Sequence, residues 1–460
     1  MLFRSAVATG ADDPEKYTFI PFNELDLQWL NTDDKYNRYL LQGGQPDSYT
    51  PGGASDWAAA WKVITDVYAK HGLSRPRIAG PGDAAWRGEG NIKAFLRTAI
   101  ATNTVPDVYV WHELRGYQWM PDRASAFRQY ARDLGIAEDE IPQINITEYG
   151  ASNDMSSPAN LLRWFSSFEA AKIDAQTAYW TASGTLSDNQ AKVNAANGGW
   201  WMFKWYGDLQ GAQTAEVTAN REKAIAAIDD ANRRAQVLVG GVEQGRDGLL
   251  TVKGLSNDTF GDKVDIEVRE DLISGTDGVA DTPRVVAAYD DVAVSGGSVQ
   301  VRIPSANASA AYQVIITPAT DRDVAAEAAE QAPHQWSEAE NLAITGGTVR
   351  SQPGGGYRLS GDCDVMGLTG ADARLDWEVD VAEPGLYRYK VLAATPGRAA
   401  QHALFVDGND SATVQYGANA IKPDNVRGTA RGTAEVYVKL DAGTHTLSLR
   451  TSRDGQNVLP

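Results

Sequence analysis

Two glutamates in the first third of the chain occupy matching positions, each at the end of a short apolar run. Glu24 follows the run at 17–22, and Glu148 lies near the end of the run at 144–150. Short apolar runs rich in β-branched and aromatic residues predict buried strands. Because the carboxyl ends of parallel strands meet at one edge of a sheet, we expect the two carboxylates to face each other there.

Two carboxyl groups held together in this way can hydrolyse a glycosidic bond. In the retaining mechanism one acts as acid and then as base while the other is the nucleophile, about 5–5.5 Å away. The acid must stay protonated near neutral pH, which requires burial or a neighbouring negative charge. The alternative for Glu24 and Glu148 is an ordinary strand-end carboxylate in a salt bridge, and Glu113 is a rival candidate acid.

Strand and helix patterns alternate through residues 1–213, which predicts an α/β domain with five strand–helix units. Strict alternation favours parallel strands joined by right-handed crossovers. A closed (β/α)₈ TIM barrel needs eight units, so five units predict an open, partial barrel sheet or, alternatively, a doubly wound fold.

The remainder of the chain is predicted to be all-β. Short alternating strands separated by Gly, Asp and Asn turns indicate an antiparallel β-sandwich at 214–318. An acidic, Ala-rich linker is predicted at 319–333, and strands recur about every ten residues at 334–460, as in a jelly-roll sandwich.

Composition excludes several classes of partner and site. The net charge of −18 argues against nucleic acid and anionic membranes, because phosphate binding needs clustered Lys and Arg. The single cysteine, Cys363, excludes an intrachain disulfide and a Cys-based zinc site. There is no run of 18 apolar residues to span a membrane, and the first 16 residues lack the apolar core of a signal peptide.

The order of motifs in the first 210 residues resembles the second part of a clan A retaining glycoside hydrolase barrel. Glycoside hydrolase family 39, the β-xylosidase and iduronidase type, is the nearest pattern. The matching motifs, in the order of strands 4 to 8, are PFNELD, RIAGPG, DVYVWHEL, ITEYG and AYWTAS. The segment at 334–460 resembles carbohydrate-binding modules of families 6 and 35.

The resemblance implies a role for each strand-end residue. Glu24 would be the acid/base and Glu148 the nucleophile, with no cofactor for catalysis. Asn23 would bind the sugar 2-hydroxyl, with turn formation as the alternative; His112 and Trp180 would line the sugar site, with structural roles as the alternatives. Tyr149, beside the nucleophile, is a further candidate contact, although a simple exposed tyrosine is the plainer interpretation.

Further expectations concern the C-terminal module and the limits of the chain. Glu338 and Glu340 alternate along a predicted strand and resemble glutamates that hold a structural calcium in such modules, the alternative being a solvated strand face. Under the resemblance, barrel strands 1–3 and a last module strand are missing, so we expect a truncated chain from a secreted, extracellular parent.

The leading hypothesis is therefore a xylosidase-like retaining glycoside hydrolase with an appended sugar-binding module, acting on a plant or microbial oligo- or polysaccharide. The alternatives are a non-catalytic glycan-binding protein or inactive fragment, and a doubly wound α/β protein whose two glutamates are structural. The distance between the two carboxyl groups discriminates between them, because a pair near 5 Å favours the enzyme.

Overall fold

A computed structural model describes residues 16–24, 56–151, 154–178, 186, 188–191, 195–218, 223–351, 363–395, 398–418, 431–453 and 456–458. The chain divides into two compact units. Unit 1 comprises Met1–Gly150 and Ser167–Ala178, and unit 2 comprises Ala151–Ser166 and Tyr179–Pro460. Within the described residues no helix combines the length and apolar character needed to cross a bilayer.

Unit 1 is built on a five-stranded parallel sheet. Its strands lie side by side in the order in which they occur along the chain. All four pairings are parallel. The strands are β1 (Thr18–Phe19), β2 (Arg77–Asp83), β3 (Val108–Glu113), β4 (Gln143–Tyr149) and β5 (Asp174–Thr177).

The helices that follow these strands have the amphipathic spacing that a sheet-covering helix needs. In α2, for example, Ile92, Phe95, Leu96 and Ala99 recur at helical spacing and are all buried. The helices of the α/β part are α1 (Asp56–Lys70), α2 (Gly88–Ala101), α3 (Met120–Asp133), α4 (Pro158–Ala171) and α5 (Gly198–Gly207).

The strand order argues against the doubly wound alternative. A doubly wound sheet reverses its order at a switch point, whereas these five strands run 1-2-3-4-5 without reversal. By the general rule that such crossovers are right-handed, this order predicts connecting helices on a single face of the sheet, as in an arc of a barrel. The expectation of an α/β part followed by an all-β part is confirmed.

Unit 2 contains the first antiparallel β-region together with the start of α4 and all of α5. The β-carbon that an alanine at Gly240 would carry lies 3.3 Å from Ala159 of α4, so helix and strand are in close contact. The short strands β6 (Gln190–Ala191) and β7 (Ala195–Ala196) pair just before α5. The start of α4 and all of α5 are therefore grouped with β-structure in unit 2.

The region predicted as a β-sandwich at 214–318 is antiparallel, with a core of aliphatic side chains such as Val264, Ile266 and Val314. The elements are β8 (Gln213–Ala215), β9 (Ala224–Asp229), β10 (Arg234–Gly240), β11 (Gly248–Lys253), α6 (Asn257–Phe260), β12 (Lys263–Asp271), β13 (Arg284–Ala293), β14 (Ser298–Ile303) and β15 (Ala311–Pro318). One sheet has six strands in the order β13-β12-β15-β10-β9-β8, and β11 pairs with β14.

The segment predicted as a linker at 319–333 is partly helical and attached to the sandwich. It contains α7 (Val324–Ala329), capped by the Asp323 side chain. The Val324 amide donates to Asp290 at 2.6 Å, and Gln331 exchanges hydrogen bonds with the backbone of Val285. An Ala-rich acidic stretch suits a helix as well as a linker, and these side-chain contacts were not visible in its composition.

The last region, from 334, is again antiparallel. The strands are β16 (Ala343–Thr345), β17 (Thr348–Ser351), β18 (Cys363–Met366), β19 (Arg374–Val381), β20 (Gly385–Ala393), β21 (Ala400–Val406), β22 (Asn409–Tyr416), β23 (Gly432–Leu440), β24 (Gly443–Arg450), β25 (Ser452–Arg453) and β26 (Gln456–Asn457). Among the described residues, a five-stranded sheet has the order β16-β19-β24-β21-β22, and the two-stranded pairs are β17-β18, β20-β23 and β25-β26.

A cavity of about 1240 Å³ lies within unit 2. Its walls include Leu375, Leu447 and Leu449, which belong to the hydrophobic core of the last β-region. At its edge Arg388 forms an ion pair with Asp281 at 2.6 Å, which joins the last β-region to the loop before β13. The cavity is therefore lined by residues of both β-regions of unit 2.

Candidate active site

Glu24 is held at the carboxyl end of β1 by its own backbone. Its amide donates to the carbonyl of Gly82, at the end of β2, over 2.8 Å. Glu24 has a φ of 49°, in the left-handed region that non-glycine residues adopt at an energetic cost. A residue held in this way has one orientation imposed by its surroundings, as a catalytic side chain needs.

Gly82 permits this close approach. A β-carbon at this position would lie 2.4 Å from the Phe22 carbonyl oxygen, and its φ is +85°. Any larger residue would therefore push apart the two strand ends that position Glu24. Sequence reasoning treated Gly82 only as the end of a strand, because a contact with Phe22 is not visible in the local pattern.

We expect Gly82→Ala to destabilise the protein by about 2–4 kcal/mol, combining φ strain with the clash against the Phe22 carbonyl. Any activity that depends on the position of Glu24 should fall as well. Gly135→Ala is the matched control, because Gly135 has a φ of +82° but no neighbour within 4 Å of the added carbon. It should cost about 1 kcal/mol in urea unfolding and leave activity unchanged. Equal effects of the two substitutions would contradict the positioning role.

His112 lies between the two glutamates. It is buried in β3, and its Nδ1 is 2.8 Å from Glu24 Oε1 and 3.6 Å from Glu148 Oε2. One oxygen from each glutamate and this nitrogen all lie within 4.8 Å of one another. In the tautomer of His112 that carries its proton on Nδ1, this contact is a hydrogen bond that the ring donates to Glu24 Oε1.

The register of the sheet explains why these residues meet. His112 of β3 pairs with Glu148 of β4, with a register irregularity just before that pair. Glu24 follows β1 and is tied to the end of β2 through Gly82. All the strands are parallel, so every one of these side chains lies at the same edge of the sheet. The predicted convergence of Glu24 and Glu148 at one edge is what the structure has.

Burial raises the pKa of Glu148 above its usual value, and the charge of Glu24 raises it further while His112 opposes the shift. The shift therefore falls on the residue assigned as nucleophile, whereas the sequence expectation gave the retained proton to Glu24. Two carboxyl groups this close titrate as a pair, and the burial of Glu148 favours its protonated form in the free site.

A raised folded-state pKa has a definite consequence for stability. The contribution of Glu148 to the free energy of unfolding is fully present below the pKa that Glu148 has in the unfolded chain. It is lost as the pH rises through the pKa of Glu148 in the folded protein. We therefore expect Glu148→Gln, which removes the charge but keeps the shape, to raise the melting temperature by a few degrees at pH 7 and by less at pH 4. Thermal unfolding at both pH values tests this, and a lower melting temperature at pH 7 would contradict it.

The structure does not bring every predicted contact into this group. Asn23 is exposed immediately before Glu24. Tyr149 is 2% exposed and packs edge-on against Phe168 of α4, so its side chain is a core residue rather than a free contact for sugar. Trp180 lies outside the described residues. His112 is thus the predicted binding residue that contacts the glutamates.

Glu113, the rival acid, has a different environment. It forms an ion pair with Arg123 of α3. A carboxylate paired with a guanidinium is held ionised and is a poor proton donor. This pairing favours Glu24 and Glu148 over Glu113 as the reacting carboxyls.

The predicted calcium ligands are arranged differently from expectation. Glu338 stands just before a 3₁₀ turn at Ala339–Asn341 and not within a strand, and its carboxylate accepts a hydrogen bond from the Trp336 indole N–H at 2.8 Å. Burial, with Glu338 and Asp364 nearby, raises the pKa of Glu340. Asp364 forms ion pairs with Arg350 and Arg431, and the positive charges of these arginines disfavour binding of a cation by Asp364. A structural calcium held by Glu338 and Glu340 stays a prediction.

Comparison with known proteins gives two strong relatives. The chain is 37% identical to the 3-O-beta-L-arabinopyranosyl-alpha-L-arabinofuranosidase of Bifidobacterium pseudocatenulatum, with 97% of this chain and 48% of that protein covered. It is 34% identical to the 3-O-alpha-D-galactosyl-alpha-L-arabinofuranosidase of Bifidobacterium longum subsp. longum, with 97% and 41% covered. Both relatives are glycoside hydrolases by name. The chain spans about half the length of the curated relatives it matches.

Among solved structures, the fold is similar to that of N2152 from Neocallimastix frontalis. The TM-score is 0.56 at 24% identity, with 69% of this chain and 75% of that chain covered. No protein-family model matches the chain. The relatives are named as arabinofuranosidases, which gives no support to the xylosidase-like specificity expected from the sequence.

Proposed function

We propose that this chain carries the catalytic carboxylates of a retaining α-L-arabinofuranosidase of the clan A, family 39 type. The observation that carries the proposal is the closeness of Glu24 and Glu148. One carboxylate oxygen of each residue and a ring nitrogen of His112 all lie within 4.8 Å of one another. Retaining enzymes hold their carboxyls about 5–5.5 Å apart, whereas inverting enzymes need about 6.5–9.5 Å to admit a water. The five parallel strands then correspond to strands 4–8 of a (β/α)₈ barrel.

The substrate is proposed from the relatives. In both names the arabinofuranose carries a second sugar on O3, a β-L-arabinopyranosyl group in one and an α-D-galactosyl group in the other. The chain has a net charge of −18, which is compatible with binding an uncharged oligosaccharide. We propose a terminal, 3-O-substituted α-L-arabinofuranoside as the substrate class.

In this mechanism Glu148 attacks the anomeric carbon of the arabinofuranose while Glu24 protonates the departing oxygen. The glycosyl–enzyme intermediate is then hydrolysed by a water that Glu24 deprotonates. The Nδ1–H of His112 donates to Glu24, which fixes the orientation of that carboxyl within reach of Glu148. His112 is therefore a positioning residue for the carboxyl pair.

The test is hydrolysis of aryl α-L-arabinofuranosides, with and without an O3 sugar, followed by NMR of the first-formed anomer. We expect the α-anomer, the configuration of the substrate, and little hydrolysis of an aryl β-D-xyloside. An initial β-anomer would overturn the retaining mechanism. Absence of hydrolysis across the arabinofuranoside panel would overturn the enzyme assignment and leave the glycan-binding alternative.

A further inference from the structure

Glu24, His112 and Glu148 also have the arrangement of ligand atoms that binds a small cation. One carboxylate oxygen of each glutamate and one ring nitrogen of His112 all lie within 4.8 Å of one another. No other group of three histidine, cysteine or acidic side chains is this compact in the part of the chain that the structure describes. Glu24 follows β1, whereas His112 and Glu148 lie in β3 and β4, so no local sequence spacing could reveal the group.

The distances between these atoms fit an ion such as Zn²⁺, which binds nitrogen and oxygen ligands at about 2.0–2.2 Å. Two ligand atoms of a tetrahedral site with such bonds are about 3.4 Å apart. His112 Nδ1 is 3.6 Å from Glu148 Oε2 and 2.8 Å from Glu24 Oε1. A movement of about half an ångström by the Glu24 carboxylate therefore opens the group enough to admit the ion.

The charges of the three side chains favour a divalent cation. Two ionised carboxylates at this separation repel each other, and a cation bound between them replaces that repulsion by two attractions. The hydrogen bond between His112 and Glu24 needs a proton on Nδ1. A metal ion bound to Nδ1 takes the place of that proton, as it does whenever a histidine becomes a ligand.

The ligands are held in place before any ion arrives, and one of them is open to solvent. The Glu24 amide donates to the Gly82 carbonyl at 2.8 Å, and Glu148 pairs with His112 in the register of β4 and β3. The side chain of His112 is 1% exposed, whereas that of Glu148 is 26% exposed. Ligands that are already ordered lose little entropy on binding, and the ion enters beside Glu148.

The types of ligand select the class of cation. An imidazole nitrogen suits Zn²⁺, Co²⁺, Ni²⁺ and Cu²⁺, whereas Mg²⁺ and Ca²⁺ prefer a shell made of oxygen alone. Three protein ligands leave at least one coordination position for water, as in open zinc sites. The His112 nitrogen therefore predicts that Zn²⁺ binds much more tightly than Mg²⁺ here.

We propose that Glu24, His112 and Glu148 form a binding site for a divalent transition-metal cation such as Zn²⁺, and that this cation inhibits the enzyme in competition with the sugar. The bound ion occupies the Glu148 oxygen that attacks the anomeric carbon and the Glu24 oxygen that protonates the leaving group, so ion and substrate exclude each other. The inhibitory role rests on the proposed arabinofuranosidase function, whereas the binding of the ion depends only on the three ligands.

The chain offers a matched control in its last β-region. His445 Nδ1 lies 2.7 Å from Asp407 Oδ2, and the Asp407 side chain is about half exposed. This pair has the same ligand types as the proposed site, but it supplies two ligand atoms and belongs to unit 2. Zinc that binds adventitiously to accessible histidines is reduced by His445→Asn, whereas zinc in the proposed site is not.

The first experiment is calorimetric titration of ZnCl₂ into the full chain, after treatment with EDTA and dialysis into a buffer that does not bind zinc. We expect one strong site in the wild type and an affinity at least about 10-fold lower in Glu24→Gln and in Glu148→Gln, because a neutral amide is a weak zinc ligand. His445→Asn should bind zinc as the wild type does, and MgCl₂ should bind at least about 10-fold more weakly. Both glutamine variants keep the shape of the side chain, and if one fails to fold the other decides.

The second experiment measures initial rates on an aryl α-L-arabinofuranoside with and without zinc. At a free zinc concentration of ten times Kd, the apparent KM should rise about 11-fold, the factor 1 + [Zn²⁺]/Kd, while kcat stays unchanged. Excess EDTA should restore the original KM. His445→Asn should show the same inhibition as the wild type.

The outcomes separate this inference from the proposed function. Zinc binding that is absent in the wild type, equal in the wild type and both glutamine variants, or lost in His445→Asn overturns the site. Zinc binding that the glutamine variants lose, in a metal-free protein that hydrolyses no arabinofuranoside, supports the site and fails the proposed function. Hydrolysis that EDTA abolishes and zinc restores overturns the inhibitory role, because the ion then takes part in the reaction.

Discussion

Replacing Glu148 by alanine is expected to lower kcat/KM for aryl α-L-arabinofuranosides by about 10⁴- to 10⁶-fold, the scale seen when an enzyme loses its nucleophile. No other carboxylate in the described part of the chain shares this site with Glu24 and His112. The loss should be the same for every leaving group, because the covalent intermediate cannot form. Initial rates across a series of aryl arabinofuranosides measure this.

Adding azide to the Glu148→Ala variant shows which of the two glutamates is the nucleophile and which is the acid/base. In Glu148→Ala, azide can occupy the space of the missing carboxylate and attack directly, so the product should be the arabinosyl azide of inverted configuration. A product of retained configuration would instead identify Glu148 as the acid/base and Glu24 as the nucleophile, the order that the raised pKa of Glu148 favours in the free site. Glu140→Ala, an exposed glutamate just before β4, is the control and should retain wild-type rates.

The elements with strong local patterns could be predicted from the sequence. The strand motif DVYVWHEL corresponds to Val108–Glu113, and the apolar run at 144–150 corresponds to the strand Gln143–Tyr149. Short runs rich in β-branched and aromatic residues decide these segments locally. The helix at Val324–Ala329 was missed because its stability comes from hydrogen bonds to Asp290 and Asp323, which local composition does not reveal.

Within the site, the sequence predicted the identity of the two glutamates and of His112 but not how they are held. Strand-end position is a local property, so Glu24 and Glu148 could be inferred. The left-handed backbone of Glu24, its bond to Gly82 and the ion pair of Glu113 with Arg123 are contacts between distant segments. Tyr149 was predicted as a substrate contact because it follows Glu148 in the sequence. Neighbouring side chains of a strand point to opposite faces of the sheet, and that of Tyr149 is buried.

Replacing Glu24 by glutamine is expected to have an effect that depends on the leaving group. For a poor leaving group such as a sugar alcohol, kcat/KM should fall about 10²- to 10⁴-fold, the usual contribution of a general acid. For a dinitrophenyl arabinofuranoside, which departs without protonation, kcat/KM should fall less than about 10-fold. The amide oxygen of glutamine can still accept from His112 Nδ1, so the 2.8 Å contact is preserved while the acid is removed.

The same variant should shift the pH profile in a direction fixed by the site. The negative charge of Glu24 is one cause of the raised pKa of Glu148, so removing it lowers that pKa. If Glu148 is the nucleophile it must be ionised, and the acid limb of kcat/KM on the dinitrophenyl substrate should move to lower pH in Glu24→Gln. An unmoved acid limb, together with a loss that is equal for all leaving groups, would contradict both the coupling of the pair and the role of Glu24 as acid. Glu24→Gln removes both the charge and the acidic proton of Glu24. The pH profile reports on the charge and the leaving-group dependence reports on the proton, so a Glu24 with only a structural role cannot produce both effects.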